Sequence, residues 1–188
     1  MGLEKEIQQL ENEVTEKQQL LTALRKKRAA EPISDYEFKD KQGNNKSLSE
    51  MFGNSNELLL IHNMGKSCAY CTLWADELNG ISNHMNNRVP LVVISPNEPN
   101  TMKEFAESRT WKFDIYSSKG NTFKKDMGFE NVDGMVQQGV SVFTKDEKGN
   151  LFHYNKATFG PGDAFSGIWH YFDLLPNGSN KWSPKFSY

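Results

Sequence analysis

The chain has 188 residues, enough for one ordinary domain with an extension but not comfortably for two domains. Its 22 basic and 24 acidic residues give a net charge of -2, so neither nucleic acid nor a membrane surface is expected as a partner. No apolar run approaches the ~20 residues that span a bilayer. The polar segment Met1–Glu6 does not look like a secretory signal, and we therefore expect a cytoplasmic protein.

Residues 1–31 are predicted to form an N-terminal amphipathic helix, whose helical part spans residues 3–28. Glutamates occupy its first half and Arg25–Arg28 ends it, an arrangement that complements the helix dipole. Apolar residues repeat with heptad spacing, interrupted once by Lys17; they are Leu3, Ile7, Leu10, Val14, Leu21 and Leu24. Such a narrow stripe must pack on the main domain or on the same helix of a second subunit. A homodimer through this helix is therefore one of two expectations.

Residues 32–176 are predicted to form one α/β domain, and residues 177–188 have the composition of a C-terminal tail. Within the domain, Glu57–Asn63 and Val89–Ser95 are apolar runs typical of strands that are covered on both faces. The helix that connects them is predicted from about Cys68 to Asn86. This β-α-β unit predicts that the two strands are adjacent and parallel.

The remaining elements complete the predicted order. Capping boxes predict helices at Ser47 and at Thr101, and Asp163 is expected to cap a final helix. Val140–Thr144 and Leu151–Asn155 flank a polar turn and predict an antiparallel hairpin. The order is thus β-α-β-α, an inserted strand and helix, then β-β-α. We predict a thioredoxin-like α/β fold of three layers (α/β/α) with a mixed sheet, plus the N-terminal helix.

The strongest chemical signal is Cys68-Ala-Tyr-Cys71, which contains both cysteines of the chain. It follows a predicted buried strand and a short loop, and it begins a helix. A thiolate at this position faces unpaired backbone N–H groups and the positive end of the helix dipole, which lower its pKa, and Lys66 adds a nearby positive charge. The spacing places both sulfurs on one side of the first turn, within reach of a disulfide.

The apolar stripe of this helix distinguishes the two sulfurs. Cys71 lies three residues before Trp74 on the stripe, so it is expected to be the more buried, resolving cysteine. Cys68 lies at the exposed helix tip and is expected to be the nucleophile. Tyr70 and Trp74 are interpreted equally well as packing residues and as substrate contacts. His62, late in a buried strand, is interpreted as a core histidine rather than a proton shuttle.

Other interpretations of the cysteine pair stay open. Two cysteines at this spacing form half of a zinc site, but the sequence has no second CxxC pair and its four histidines are scattered. A metal shared between two subunits and a pair of inert core cysteines are the remaining alternatives. The favoured interpretation, redox-active cysteines, requires neither a cofactor nor a metal.

Several segments form a recognisable set: Cys68–Asp76, Trp111–Ser118 with Asp126–Gly128, Gly139–Phe143 and Asp173–Pro176. Together they resemble an uncharacterised bacterial family of thioredoxin-like proteins. That family is catalogued as a domain of unknown function and is related to the alkyl hydroperoxide reductase/thiol-specific antioxidant superfamily. The resemblance runs from the end of the N-terminal helix almost to the C-terminus. It implies a thioredoxin-like fold and a redox-active CxxC, and it supplies no substrate.

Two departures from related families bear on the expected chemistry. Thioredoxins place a cis-proline just before the strand that faces the CxxC, where this sequence has Gly139, which provides backbone room without the locked bond. Peroxiredoxins place Thr three residues before the peroxidatic cysteine, where this sequence has Gly65. The first departure argues against docking of a substrate strand, and the second argues against ordinary peroxidase chemistry.

The sequence thus predicts a thioredoxin-like dithiol–disulfide oxidoreductase that acts on a protein or small-molecule thiol or disulfide. Its predicted catalytic residues are Cys68 and Cys71. The predicted supporting residues are Lys66, Tyr70, Trp74 and Gly139. Two alternatives stay open: an atypical thiol peroxidase with an antioxidant role, and a non-catalytic binding or scaffold module.

Overall fold

The computed structural model describes residues 2–188. Its strands are β1 (Glu31–Ile33), β2 (Glu37–Lys39), β3 (Asn45–Ser47), β4 (Glu57–His62), β5 (Leu91–Ser95), β6 (Asp114–Ser117), β7 (Gly139–Lys145) and β8 (Leu151–Thr158). Its helices are α1 (Leu3–Lys26), α2 (Leu48–Met51), α3 (Ala69–Arg88), α4 (Pro99–Ser108), α5 (Phe123–Asp126) and α6 (Gly167–Asp173). All of these strands belong to one sheet, in the order β1-β8-β7-β4-β5-β6-β2-β3.

The centre of the sheet is mixed. β4, β5 and β6 are parallel neighbours, with Ile61 opposite Val93 and Val93 opposite Ile115. On the other side of β4, β7 runs antiparallel, and β7 and β8 form an antiparallel hairpin. The predicted parallel pair and the predicted hairpin are therefore both confirmed.

Alternating side chains of the central strands enter two separate cores. Leu58 and Leu60 belong to one core, together with Phe123 of α5 and residues of α2. Ile61 belongs to the other core, together with Ala75 of α3 and residues of α4. Because each face of the sheet is covered by helices, the molecule has the predicted three layers and the thioredoxin-like α/β arrangement.

The helix α1 makes little contact with this domain. None of its residues is buried. The domain holds it by its last turn, where Tyr154 Oη donates to the carbonyl of Lys26 at 3.0 Å and Asn155 Nδ2 donates to that of Arg25 at 3.0 Å. The alternative that the apolar stripe packs on the main domain is therefore wrong, because only the C-terminal end of the helix touches the sheet.

Several predicted helix starts can be compared with the structure. The capping box at Ser47 is confirmed, with Glu50 as its second member. The start at Thr101 is wrong, since α4 begins at Pro99, whose fixed backbone angle suits the first helical position. Asp163 does not cap a helix: its carboxylate accepts the N–H groups of Gly160 and Phe165 in a turn that precedes α6.

The C-terminal segment packs against the domain. The ring of Trp182 lies 5.7 Å from that of Trp169 and 5.1 Å from that of Phe172. Arg109 Nη1 donates to the carbonyl of Phe186 at 2.7 Å.

Across residues 2–188, none of the helices combines the length and the apolar character needed to cross a membrane.

The burial of β4 predicts how much stability is lost when one of its core side chains is shortened. Leu60 is 0% exposed, so Leu60→Ala should lower the free energy of unfolding by ~2–5 kcal/mol. Leu174, which is 83% exposed, serves as a matched control, and Leu174→Ala should change stability by less than ~0.5 kcal/mol. Urea denaturation followed by circular dichroism measures both values. Equal losses for the two variants would contradict the placement of β4.

Candidate active site

Three parts of the chain meet at the amino end of α3. β4 ends at His62, the loop from Asn63 to Ser67 follows it, and α3 begins directly after Cys68. β7 starts beside them, because Gly139 pairs with His62 in the sheet. The fold therefore brings both predicted cysteines to the edge of the sheet where β4 ends and β7 begins.

Cys68 is the N-cap residue of α3. Its sulfur accepts the backbone N–H of Cys71 at 3.0 Å, a group that has no partner within the helix. The carbonyl of Cys68 accepts the backbone N–H and the hydroxyl of Thr72, both at 3.0 Å. Cys68 is half-buried, so its sulfur is fixed by the helix start while part of the residue stays accessible.

Hydrogen bonds lower the pKa of Cys68. The bond from the side chain of Cys71 has the largest effect, and the backbone N–H groups of Cys71 and Tyr70 add to it. Burial opposes them, and the net result is a pKa of about 7. A large fraction of Cys68 is therefore thiolate at neutral pH, and the thiolate is the nucleophilic form of cysteine.

Cys71 lies deeper in the protein and is 3% exposed, as the sequence predicts. Its sulfur accepts the N–H of Met64 at 3.4 Å and lies 2.9 Å from Oε1 of Gln138, to which the thiol donates. Hydrogen bonding to Cys68 and burial both raise the pKa of Cys71, because both favour the protonated thiol. The single proton of Cys71 thus has two acceptors, Gln138 and the sulfur of Cys68.

Gln138 is a site residue that sequence reasoning missed. It directly precedes β7, next to Gly139, which stands at the position of the thioredoxin cis-proline. Its amide oxygen contacts the thiol of Cys71, and this contact joins the start of β7 to the start of α3. The signal that could have found it was its place immediately before Gly139, since glutamine itself belongs to no redox motif.

The loop before Cys68 is fixed by polar side chains. Asn63 Oδ1 accepts the N–H of Gly65 at 2.6 Å, and Asn97 Oδ1 accepts the N–H of Lys66 at 2.8 Å. Gly65 has a φ of +106°, and a Cβ there would lie 2.9 Å from Asn97 Oδ1. The loop therefore requires glycine at the position where peroxiredoxins carry threonine.

A buried lysine, also missed at the level of sequence, supports this loop. Lys124 of α5 is 3% exposed, and its Nζ donates to the carbonyl of Asn63 at 2.7 Å. Burial lowers the pKa of Lys124 to about 8, and the charges of Cys71 and Glu130 act in the opposite direction. In return, the charge of Lys124 lowers the pKa of Cys71. A lone lysine in a short helix carries no sequence signal for such a position.

The predicted supporting residues occupy different surroundings. Lys66 is exposed, and the groups that lower the pKa of Cys68 are those of Cys71 and Tyr70. Trp74 is 2% exposed and stacks on Phe159, with ring centroids 6.0 Å apart. The ring of Tyr70 is half-buried, 6.1 Å from that of Trp74. Trp74 is thus a packing residue, whereas Tyr70 keeps accessible surface two residues from Cys68.

Close packing around the first residue of β7 requires glycine at position 139. A Cβ at this position would overlap the ring of Phe129 and the carbonyl of Ala157. The ring of Phe129 in turn stacks on His62, with centroids 3.8 Å apart. His62 Nε2 forms a hydrogen bond with Ser141 Oγ at 2.9 Å, and burial and nearby positive charges hold the pKa of His62 well below its usual value. His62 is a neutral core histidine, in agreement with its interpretation from the sequence.

The arrangement can supply a sulfur nucleophile at neutral pH with a second thiol in hydrogen-bond contact. Within residues 2–188, no three His, Cys, Asp or Glu side chains are grouped so that they could hold a metal ion.

The family comparison covers almost the whole chain. The family described as "Bacterial protein of unknown function (DUF899)" matches residues 3–187, and the chain therefore belongs to it. This confirms the resemblance stated from the motif segments. Among curated proteins, none matches this sequence.

Solved structures with a similar fold include peroxiredoxins. Peroxidoxin BcpB from Mycobacterium tuberculosis is 17% identical, with a TM-score of 0.57 over 70% of this chain and 85% of its own. A peroxiredoxin-like protein from Aquifex aeolicus is 16% identical, with a TM-score of 0.53 over 69% of this chain and 74% of its own. Peroxiredoxin Q from Xanthomonas campestris is 10% identical, with a TM-score of 0.54 over 65% of this chain and 80% of its own. These likenesses show a shared thioredoxin-like fold.

The two pKa shifts predict which cysteine reacts first. In the reduced protein, iodoacetamide should alkylate Cys68 before Cys71, with a rate that rises through a midpoint of about 7. In Cys71→Ala this midpoint should move towards the ordinary cysteine pKa of 9.0, because the thiol donor is lost. Mass spectrometry of labelled peptides across the pH range measures both. Faster labelling of Cys71, or an unshifted midpoint for Cys68, would show that the hydrogen bonds have been assigned wrongly.

Proposed function

We propose that this DUF899 protein is a dithiol–disulfide oxidoreductase, with Cys68 as the nucleophile and Cys71 as the resolving thiol. One observation carries the proposal, the hydrogen bond at 3.0 Å from the N–H of Cys71 to the sulfur of Cys68. It stabilises the thiolate of one cysteine while the other, buried beside it, keeps its proton. A dithiol reaction needs this difference, because attack requires a thiolate and resolution requires a second thiol within reach.

The reaction has two exchange steps. In the first, the Cys68 thiolate attacks one sulfur of a substrate disulfide R–S–S–R′. A bond forms between Cys68 and the sulfur of R, the substrate S–S bond breaks, and R′S⁻ leaves with the electron pair. In the second, Cys71 loses its proton and attacks the sulfur of Cys68, which releases RS⁻ and leaves a Cys68–Cys71 disulfide. Two electrons pass to the substrate, whose two thiolates take up protons.

The second step requires Cys71 to lose a proton although its pKa is raised in the resting dithiol. Once Cys68 is in the mixed disulfide, its thiolate no longer accepts the Cys71 proton, and the largest effect that raises the pKa of Cys71 is gone. The positive charge of Lys124 then favours the Cys71 thiolate. Gln138 orients the thiol through its amide oxygen, which is too weakly basic to remove the proton.

Turnover requires a two-electron thiol reductant that restores the Cys68–Cys71 pair. We place the reaction in the cytoplasm, since thiol pools in that compartment keep such a pair reduced. The two sulfurs carry both electrons, so the reaction proceeds without a cofactor. The substrate class is a protein or small-molecule disulfide that approaches the accessible side of Cys68.

A thiol peroxidase is the second candidate, and the fold shared with the peroxidoxin and peroxiredoxin structures favours it. In that reaction the Cys68 thiolate attacks a peroxide ROOH, the O–O bond breaks, and with one proton the products are Cys68 sulfenic acid and ROH. Cys71 then condenses with the sulfenic acid, which yields water and the same disulfide. We rank it second because Gly65 occupies the position of the peroxiredoxin threonine.

Replacement of each cysteine tests the order of attack. Cys71→Ser lacks the resolving thiol, so it should retain a mixed disulfide with glutathione after treatment with oxidised glutathione. The wild type should instead pass through this adduct to the internal disulfide, and Cys68→Ser should form no adduct. Intact-protein mass spectrometry under acid quench follows all three proteins. A persistent adduct on Cys68→Ser, with none on Cys71→Ser, would reverse the assigned roles.

A comparison of oxidants separates the candidate functions. Reduced wild type is mixed with oxidised glutathione or with hydrogen peroxide, and formation of the Cys68–Cys71 disulfide is timed. Faster oxidation by the disulfide supports the oxidoreductase, and faster oxidation by the peroxide supports the peroxidase. If neither oxidant produces the internal disulfide, both enzyme proposals fail, and the scaffold alternative is favoured.

The buried lysine is predicted to assist resolution at no large cost in stability. Lys124→Met should slow release of glutathione from the mixed disulfide by roughly 3–10-fold, the effect of about half to one pKa unit on Cys71. Loss of the buried charge is stabilising and the unpaired carbonyl of Asn63 is destabilising by about 1–3 kcal/mol, so the two effects largely offset each other. Lys125→Met, at the exposed neighbouring residue, is the matched control and should leave the rate unchanged.

The pH dependence of the free energy of unfolding reports the pKa of Lys124. Its pKa is about 8 in the folded protein, below the ordinary value of 10.5, so between these values the unfolded chain binds more protons. The contribution of Lys124 to stability should therefore rise with pH from about 8 to 10.5. Urea denaturation of the wild type and of Lys124→Met across this range isolates the contribution. Parallel pH profiles for the two proteins would show that the pKa of Lys124 is not lowered in the folded protein.

A further inference from the structure

We infer that a second copy of this chain covers the apolar stripe of α1, through antiparallel pairing of two α1 helices. The six stripe residues are each 43–70% exposed; they are Leu3, Ile7, Leu10, Val14, Leu21 and Leu24. A helix in water gains most of its stability from packing of its apolar face, and within residues 2–188 nothing buries this face. A helix of 24 residues, about 36 Å long, offers three heptads for such packing.

The domain leaves the stripe free for a partner. Only the last turn of α1 is held, by hydrogen bonds from Tyr154 and Asn155 to the carbonyls of Lys26 and Arg25. These bonds fix the direction in which the helix leaves the sheet and do not involve the stripe. Two copies can therefore approach each other along α1 without a change in the domain.

The spacing of the stripe fits an antiparallel pair. A two-fold axis beside Val14 places the stripe residues of the two helices opposite each other to within one residue. The layers are Val14 with Val14, Leu10 with Lys17, Ile7 with Leu21, and Leu3 with Leu24. The one polar member, Lys17, can cover Leu10 of the partner subunit with its aliphatic stem while its ammonium group reaches water.

Charge decides between the two directions. Residues 3–16 of α1 carry five acidic residues, Glu4, Glu6, Glu11, Glu13 and Glu16, against one lysine, and the chain at the end of the helix carries Arg25–Arg28. A parallel pair would place like-charged halves side by side. An antiparallel pair places each acidic half beside the basic end of the other helix, and the two helix dipoles also oppose each other.

An apolar groove continues this surface at the end of α1. The groove has a volume of ≈ 440 Å³ and is lined by Arg25 and Lys156 together with apolar residues such as Leu78 and Phe165. In the antiparallel register the first turn of the other helix reaches Arg25. That turn combines Leu3 with two glutamates, which suits an apolar groove lined in part by basic residues.

The mass of the full chain in solution tests the pairing. Light scattering coupled to size exclusion should give twice the 21.5 kDa of one chain. Val14→Glu places two carboxylates on the axis and should give the monomer, whereas Asn12→Glu, on the polar face of the same helix, should leave the dimer intact. Circular dichroism checks that the domain of both variants is folded. A monomeric wild type, or a dimer that survives Val14→Glu, would overturn the inference.

The direction of the helices is tested by cross-linking. In chains with Cys68→Ser and Cys71→Ser, a chain with Leu3→Cys is mixed with a chain with Leu24→Cys and oxidised. Antiparallel pairing should give the mixed disulfide, whereas parallel pairing would give each homodisulfide. Since both native cysteines are absent, this result is independent of the redox proposal. Predominant homodisulfides would refute the antiparallel arrangement.

Discussion

At the start of α3 a sulfur occupies the place that a Ser or Asp oxygen takes at many helix starts. Cys68 accepts the N–H of Cys71, and a thiolate is a stronger acceptor for that bond than a thiol. The bond that caps the helix therefore also helps to lower the pKa of Cys68, beside the larger effect of the Cys71 side chain. Any change that loosens the first turn of α3 also makes the sulfur less acidic, so helix geometry and reactivity cannot vary independently.

The rest of the site holds this first turn in place from two directions. β7 begins beside it, where Gln138 contacts the thiol of Cys71 and Gly139 leaves room for the ring of Phe129. From the other side, Lys124 holds the carbonyl of Asn63 at the start of the loop. A buried ammonium group is costly, and a methionine of similar length would pack there without that cost. Its position near a thiol that ionises in the proposed exchange is consistent with a role in that chemistry.

The sequence was sufficient for features that depend on neighbouring residues, and insufficient for features that depend on distant ones. The buried strand β4, the loop and the cysteine pair are contiguous, so periodicity and spacing predicted them together. The contacts of Gln138 and Lys124 with this segment join parts of the chain that only the sheet brings together. Two predicted helix starts were wrong for a different reason. At Thr101 the helix begins two residues earlier, at Pro99, and at Asp163 the carboxylate forms a turn instead of a helix cap.

The effect of the lowered pKa on equilibrium is small compared with its effect on rate. At pH 7, a shift of the Cys68 pKa from 9.0 to about 7 converts about half of the sulfur to thiolate, against roughly 1% without the shift. The reduced form gains only ~0.4 kcal/mol from this, equivalent to roughly 10 mV in the reduction potential of the pair. The concentration of nucleophile rises about fiftyfold, and a thiol whose pKa matches the ambient pH is near the optimum for attack. In the proposed exchange, the lowered pKa of Cys68 would therefore accelerate attack while leaving the direction of electron flow to the partners.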